Sequence, residues 1–105
     1  MSDFTLRQDG KGRVAAIGDM TIFHAHQMKE ALMTELGANE RLEVDLSEVS
    51  DIDTAGLQQL LLLHKEAAHG NKPLRFQGHS PAVQQAVQML KLEALLGPTV
   101  SVVWS

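Results

Sequence analysis

The sequence predicts an α/β fold with a mixed β-sheet that opens on a β-hairpin and carries its helices mainly on one face. Short runs in which apolar and polar residues alternate are typical of strands. Longer stretches between them have apolar residues three and four positions apart, as in amphipathic helices. The 105 residues suffice for one domain with a single core and are too few for two, so the predicted domain spans residues 1–105.

The first part of the chain predicts two strands and a helix. Phe4–Leu6 and Arg13–Ile17 alternate on either side of a Gly-rich turn, which indicates a β-hairpin. The alternation then stops, and Thr21 is a natural N-cap for a helix that extends to about Leu36, with Gly37 as its stop. The apolar stripe of this helix is expected at Ala25, Met28, Ala31 or Leu32, and Leu36.

The middle of the chain predicts a strand, a short acidic loop and a second helix. The strand is Leu42–Leu46, and the loop covers residues 47–53. Thr54 precedes a run with helical spacing, so its hydroxyl is expected to cap the helix by accepting a bond from a first-turn amide. The helix should end near His69–Gly70.

The last part predicts a strand, a helix and a final strand. Leu74–Phe76 alternates, and Ser80 with Pro81 resembles a helix start, because proline at the first helical position loses no hydrogen bond. This helix should continue to about Lys91, and Val100–Trp104 is typical of a strand.

The order of these elements predicts the layout of the sheet. Strand–helix–strand units imply parallel neighbours with right-handed crossovers, whereas the hairpin adds an antiparallel pair. Glu43 and Asp45 lie on one side of their strand. One face of the sheet should therefore be exposed, with the helices mainly on the other.

Composition restricts the function. The net charge is −4 and the nine basic residues are scattered along the chain, which argues against nucleic acid as a partner. The absence of cysteine excludes a thiolate nucleophile and a zinc–thiolate site. No apolar run reaches the ~18 residues of a membrane span, and no signal peptide is visible. A cytoplasmic protein without membrane insertion is expected.

The histidines and glycines predict neither a metal site nor a cofactor. His24 and His26 are two positions apart on a predicted helix and so do not share a face. His64 and His69, five apart, are no better placed. The Gly10–Gly12 segment lacks the spacing of a phosphate-binding loop.

Three apolar residues lie where the chain enters the first helix. Met20, Ile22 and Phe23 are expected mainly in the core, where large apolar side chains usually lie. Any of them that is exposed would form a contact patch.

Four segments, in this order, resemble a STAS domain, the fold of bacterial anti-sigma-factor antagonists. Asp45–Ser47 closes the central strand as in that family, and Asp53–Leu57 is similar to its Asp-Ser-Ser-Gly-Leu loop. Leu60–Lys65 matches the helix that follows, and Ser80–Val83 resembles the family's Ser-Pro-x-Val helix start. Two features differ: Gly-Asp-Met-Thr replaces the usual Gly-Glu-Leu-Asp after the hairpin, and Thr54 stands where the family usually has serine.

The resemblance implies a non-enzymatic regulatory protein that Thr54 switches by phosphorylation. The implied partners are an anti-sigma factor or similar serine/threonine switch kinase, which would hold the ATP and magnesium, and a phosphatase. Phosphate at Thr54 would leave the fold unchanged and repel the partner. The predicted contact residues are Met20, Thr21, Phe23, Asp51, Asp53, Thr54, Ala55, Gly56, Leu57 and Gln58.

Other functions stay open at this point. Thr54 could act only as a cap. The protein could be a STAS accessory subunit of an ABC-type phospholipid transporter that docks on the ATPase, or a signalling adaptor in a chemotaxis or two-component system. An enzyme ranks last, because the acidic residues near Thr54 have no predicted cleft. The sequence leaves open whether the protein forms a homodimer.

Overall fold

The structure, a computed structural model, describes residues 3–90, which form a four-stranded mixed sheet and three α-helices. This confirms the predicted fold class. The elements in chain order are β1 (Phe4–Gln8), β2 (Arg13–Met20), a single 3-10 turn (Ile22–His24), α1 (Ala25–Ala38), β3 (Leu42–Ile52), α2 (Thr54–His69), β4 (Leu74–Gln77) and α3 (Pro81–Leu90).

The strands follow one another across the sheet in chain order, β1-β2-β3-β4. β1 and β2 form the antiparallel hairpin, and β2, β3 and β4 are parallel. The predicted strand Val100–Trp104 and the predicted helix end at Lys91 lie outside the described residues. Within residues 3–90, no helix has both the length and the apolar character that a membrane span requires.

One face of the sheet carries the core. Along β2 and β3 the buried side chains alternate with partly or fully exposed ones, and Glu43 and Asp45 lie on the open face as predicted. The helices cover the other face with buried apolar residues, namely Met28, Leu32 and Leu36 from α1, Leu57, Leu60, Leu63 and Ala67 from α2, and Val83 and Val87 from α3. Within residues 3–90, helices thus cover the parallel part of the sheet on one side only.

All four strands are longer than predicted, and β2 and β3 are extended the most. β2 continues past Ile17 to Met20, and β3 continues past Leu46 through the predicted acidic loop to Ile52. The two strands pair in parallel over this whole length, with two register shifts that break the apolar–polar alternation. Gly18 lies inside β2 and does not end it. A Cβ at this position would lie 1.8 Å from the Asp3 carbonyl oxygen, so glycine permits a close approach of the two backbones.

Helix ends were predicted with mixed success. Ser80 caps α3 as expected, since its Oγ accepts a hydrogen bond from the Val83 amide at 3.3 Å. The prediction for Thr21 is wrong: its side chain makes no capping bond, and the 3-10 turn separates it from α1. Gly37 is not a stop but lies inside α1, which ends one residue later at Ala38.

The position of Gly37 leads to a prediction about stability. Among the described residues, no atom outside the local backbone lies within 4 Å of the position that a Cβ would take there. Alanine costs less conformational entropy than glycine in a helix. Gly37→Ala should therefore raise the free energy of unfolding by about 0.5 kcal/mol, measured by urea denaturation. A decrease would contradict the placement of Gly37 inside α1.

Candidate functional site

The second helix is capped by Asp53, not by Thr54 as predicted. Asp53 has extended backbone angles, and its Oδ1 accepts a hydrogen bond from the Gly56 amide at 3.0 Å. Both residue types are good caps, but a carboxylate also interacts favourably with the positive end of the helix dipole. Thr54 is consequently the first residue of the helix, and its side chain is exposed.

The same carboxylate also holds the chain segment that follows β2. Asp53 Oδ2 accepts a hydrogen bond from the Ile22 amide at 2.9 Å, and the Asp53 amide donates to the Met20 carbonyl at 3.2 Å. One residue therefore joins the end of β2, the 3-10 turn and the start of α2.

Gly56 allows these segments to approach one another closely. A Cβ at position 56 would lie 2.0 Å from the Met20 carbonyl oxygen and 2.9 Å from Ile52 Cγ1. Only glycine fits this contact between the first turn of α2 and the end of β2. The first turn of the helix is thereby fixed against the strand ends.

These contacts produce an exposed surface with an apolar part and a hydroxyl. Phe23 is 81% exposed and Ile22 is 63% exposed, although large apolar side chains are usually buried. Thr54, Gln58 and Asp51 are exposed beside them. We call these five residues the loop–helix surface.

The structure divides the predicted contact residues into surface and core. Met20, Gly56 and Leu57 are buried, so their side chains support the surface and do not form part of it. Thr21, Asp53 and Ala55 are partly exposed. Met20 lies in the core as expected.

Ile22 and Phe23, by contrast, were expected mainly in the core and are exposed. The 3-10 turn that contains them has no buried residue. Ile22 was absent from the list of predicted contact residues, although an exposed Ile22 was expected to form a contact patch. The signal for it was its position beside Phe23 between two elements, but its exposure depends on the tertiary bond to Asp53.

The surroundings of Thr54 are acidic. Asp19 Oδ1 accepts a bond from the Ser50 hydroxyl at 3.0 Å, and Asp51 Oδ1 accepts one from the Ile52 amide. Among the described residues, no lysine or arginine pairs with Asp19, Asp51 or Asp53 within 4 Å. Within residues 3–90, no group of three or more His, Asp or Glu residues is arranged to hold a metal ion.

The chain belongs to the STAS domain family, since residues 4–97 match the family described as "Mlab, STAS domain".

Solved structures share the fold. The chain is similar to an anti-sigma factor antagonist from Mycobacterium paratuberculosis, with a TM-score of 0.75, 17% identity, and 91% of this chain and 83% of that chain covered. It is also similar to the anti-sigma factor antagonist SpoIIAA in its unphosphorylated form, with a TM-score of 0.71, 16% identity and coverage of 96% and 89%. The phosphorylated form of Bacillus SpoIIAA gives a TM-score of 0.67, 16% identity and coverage of 96% and 92%.

The close contact at Gly56 leads to a second prediction. Gly56→Ala should lower the free energy of unfolding by about 1–3 kcal/mol, because the backbone must shift to accommodate the methyl group. Gly37→Ala, also in a helix but in open space, is the matched control. Urea denaturation of both variants measures the difference. Equal effects of the two substitutions would show that the Met20 carbonyl does not restrict position 56.

Proposed function

We propose that this protein is a regulatory protein-binding module, not an enzyme, whose partner docks on the loop–helix surface and is released by phosphorylation of Thr54. The single observation that supports this most strongly is the pair of exposed apolar side chains, Ile22 and Phe23. Their backbone is held by Asp53, the residue that directly precedes Thr54.

The apolar part of the surface would supply binding free energy. Complete burial of a Phe or Ile side chain contributes roughly 1.5–3 kcal/mol. The hydrogen bond from the Ile22 amide to Asp53 fixes the turn before the partner arrives. Less conformational entropy is then lost on binding, which is the advantage of a preorganised surface.

Phosphate on Thr54 would act on this surface and leave the fold intact. The amides of Thr54 and Ala55, at the helix start, have no acceptor among the described residues, and a helix N-terminus favours an anion by about 0.3–1 kcal/mol. Asp51 and Asp53 oppose it by like-charge repulsion. The two effects partly cancel, whereas a new charge of about −1.5 to −2 within an apolar contact strongly disfavours binding.

The phosphate would have to come from a kinase. A threonine hydroxyl needs a base to become nucleophilic, and Asp53 is already engaged with the Ile22 and Gly56 amides. SpoIIAA, which shares the fold, has been solved in unphosphorylated and phosphorylated forms. By this similarity the partner would be an anti-sigma factor or similar serine/threonine kinase that holds ATP and magnesium, and a phosphatase would restore Thr54.

A second function is favoured by the family match, which names the Mlab type of STAS domain. In this alternative the protein is an accessory subunit of an ABC-type phospholipid transporter. The loop–helix surface would dock permanently on the transporter ATPase, and Thr54 would be a contact residue without a phosphate. Purification of the native complex distinguishes the two proposed functions. A transporter subunit would purify with an ATPase and a permease, whereas a phosphorylation switch would purify with a soluble kinase.

The phosphorylation switch predicts opposite behaviour of two variants at Thr54. Once the partner is purified, Thr54→Glu should weaken its affinity about tenfold or more, because a carboxylate enters the contact. Thr54→Ala should bind as well as wild type and stay bound when the kinase and ATP are added. Calorimetry measures the affinities, and mass spectrometry measures phosphate on Thr54.

Equal affinity of Thr54→Glu and wild type, with no phosphate on Thr54, would contradict the switch. Loss of affinity in Thr54→Ala as well would favour the permanent contact of the transporter subunit.

The apolar contact predicts a large effect of Phe23. Phe23→Ser should weaken partner binding by about tenfold or more, while the free energy of unfolding changes by less than about 0.5 kcal/mol because the ring is exposed. Met89, which is 74% exposed on α3, provides the matched control Met89→Ser. Similar binding by the two variants would exclude the loop–helix surface as the docking site.

A further inference from the structure

Basic residues that are scattered along the sequence lie together at the end of the sheet that is opposite Thr54. Lys11 lies in the hairpin turn, Arg13 is the first residue of β2, Arg41 directly precedes β3, and Arg75 is the second residue of β4. Because β2, β3 and β4 are parallel, their amino ends lie together. Four of the nine lysine and arginine residues thus line one open pocket.

The pocket is electropositive in a chain that is acidic overall. Of the described residues that line it, Glu43 is the one with a carboxylate, and this side chain also accepts a hydrogen bond from the Gln77 side-chain amide. Asp9 lies just outside, where hydrogen bonds from the Lys11 and Arg13 amides hold its pKa below the usual value. The four cations outnumber these two carboxylates, so the local charge is positive, whereas the net charge of the whole chain is −4.

Three of the four cations are available to a ligand. Lys11, Arg13 and Arg41 are exposed. Within residues 3–90, their side chains form no ion pair and donate no hydrogen bond. A close backbone contact supports their arrangement: Gly12 has a φ of +85°, which glycine adopts without strain, and a Cβ there would lie 2.6 Å from the Arg41 carbonyl oxygen. The hairpin turn is therefore packed directly against the residue that enters β3.

The size of the pocket indicates more than a lone ion. Its volume is about 460 Å³, within the range of roughly 300–1,000 Å³ that is typical of small-molecule sites. Pro73, which is exposed, supplies an apolar wall. Arginine guanidinium groups form paired hydrogen bonds with phosphate oxygens, and lysine adds a point charge.

We propose that this pocket binds a phosphate monoester through Lys11, Arg13 and Arg41, with the organic part of the ligand against Pro73. The site is separate from the loop–helix surface, because the pocket lies at the amino end of the eleven-residue strand β3 and the loop–helix surface lies at its carboxyl end. The phosphate could belong to a soluble molecule or to a lipid headgroup. Both share the chemistry that the pocket recognises.

Glycerol 3-phosphate and phosphatidic acid carry the same phosphate group and separate the two sources. In NMR titrations, glycerol 3-phosphate at up to about 10 mM should shift the amides of residues 11–13, 41–43 and 75, and glycerol should not. Vesicles of phosphatidic acid in phosphatidylcholine should sediment with the protein if the source is a lipid, and vesicles of phosphatidylcholine alone should not.

Matched variants test the residues. Arg13→Gln/Arg41→Gln should weaken binding at least about fivefold, while Lys29→Gln/Lys65→Gln, which removes two exposed charges from α1 and α2, should not. Arg41→Gln alone should weaken binding less than the Arg13→Gln/Arg41→Gln double variant does. Urea denaturation checks that each variant is folded.

Binding of either probe with this variant pattern supports the proposal and identifies the source. Absence of binding to both probes, or equal loss in the two double variants, would overturn it.

Discussion

The arrangement of the loop–helix surface depends on the two oxygens of the Asp53 carboxylate. One oxygen caps α2 through the Gly56 amide, and the other holds the Ile22 amide at the entrance to α1. A side chain that only capped the helix would leave the 3-10 turn without this tertiary bond. The carboxylate therefore determines both where the helix begins and where the exposed apolar side chains lie. Hydrogen bonds to an ionised acceptor are stronger than neutral ones, which suits this double role.

This arrangement divides the residues into buried ones that hold the surface in place and exposed ones that a partner could contact. Met20, Gly56 and Leu57 are buried under the surface, and Phe23 and Thr54 are exposed on it. Substitutions in the first group are expected to act on stability, and substitutions in the second on binding. In the proposed switch, phosphate on Thr54 would consequently change what binds to the protein while the core remains packed. The basic pocket lies at the other end of the same strands, so it could be occupied independently.

The sequence was sufficient for the fold but not for the details of the site. Local signals, such as the hairpin turn and the Ser80–Pro81 helix start, depend on neighbouring residues and were predicted correctly. The length of β3 was missed because register shifts against β2 break its alternation. Asp53 and Thr54 are adjacent and both residue types cap well, and the tertiary bond between Asp53 and Ile22, which favours Asp53 as the cap, is not visible in the sequence. The basic pocket was missed because its residues are brought together by strand order and not by spacing.

Amide hydrogen exchange tests the role of Asp53 most directly. Asp53→Asn keeps one carbonyl oxygen and replaces the other with a donor, so it can satisfy only one of the two amides. Exchange at Ile22 or Gly56 should become about tenfold faster or more, while amides inside β3 remain protected. The control is Asp51→Asn, because within residues 3–90 the Asp51 carboxylate accepts a hydrogen bond only from the adjacent Ile52 amide. Unchanged protection of both Ile22 and Gly56 in Asp53→Asn would contradict the account.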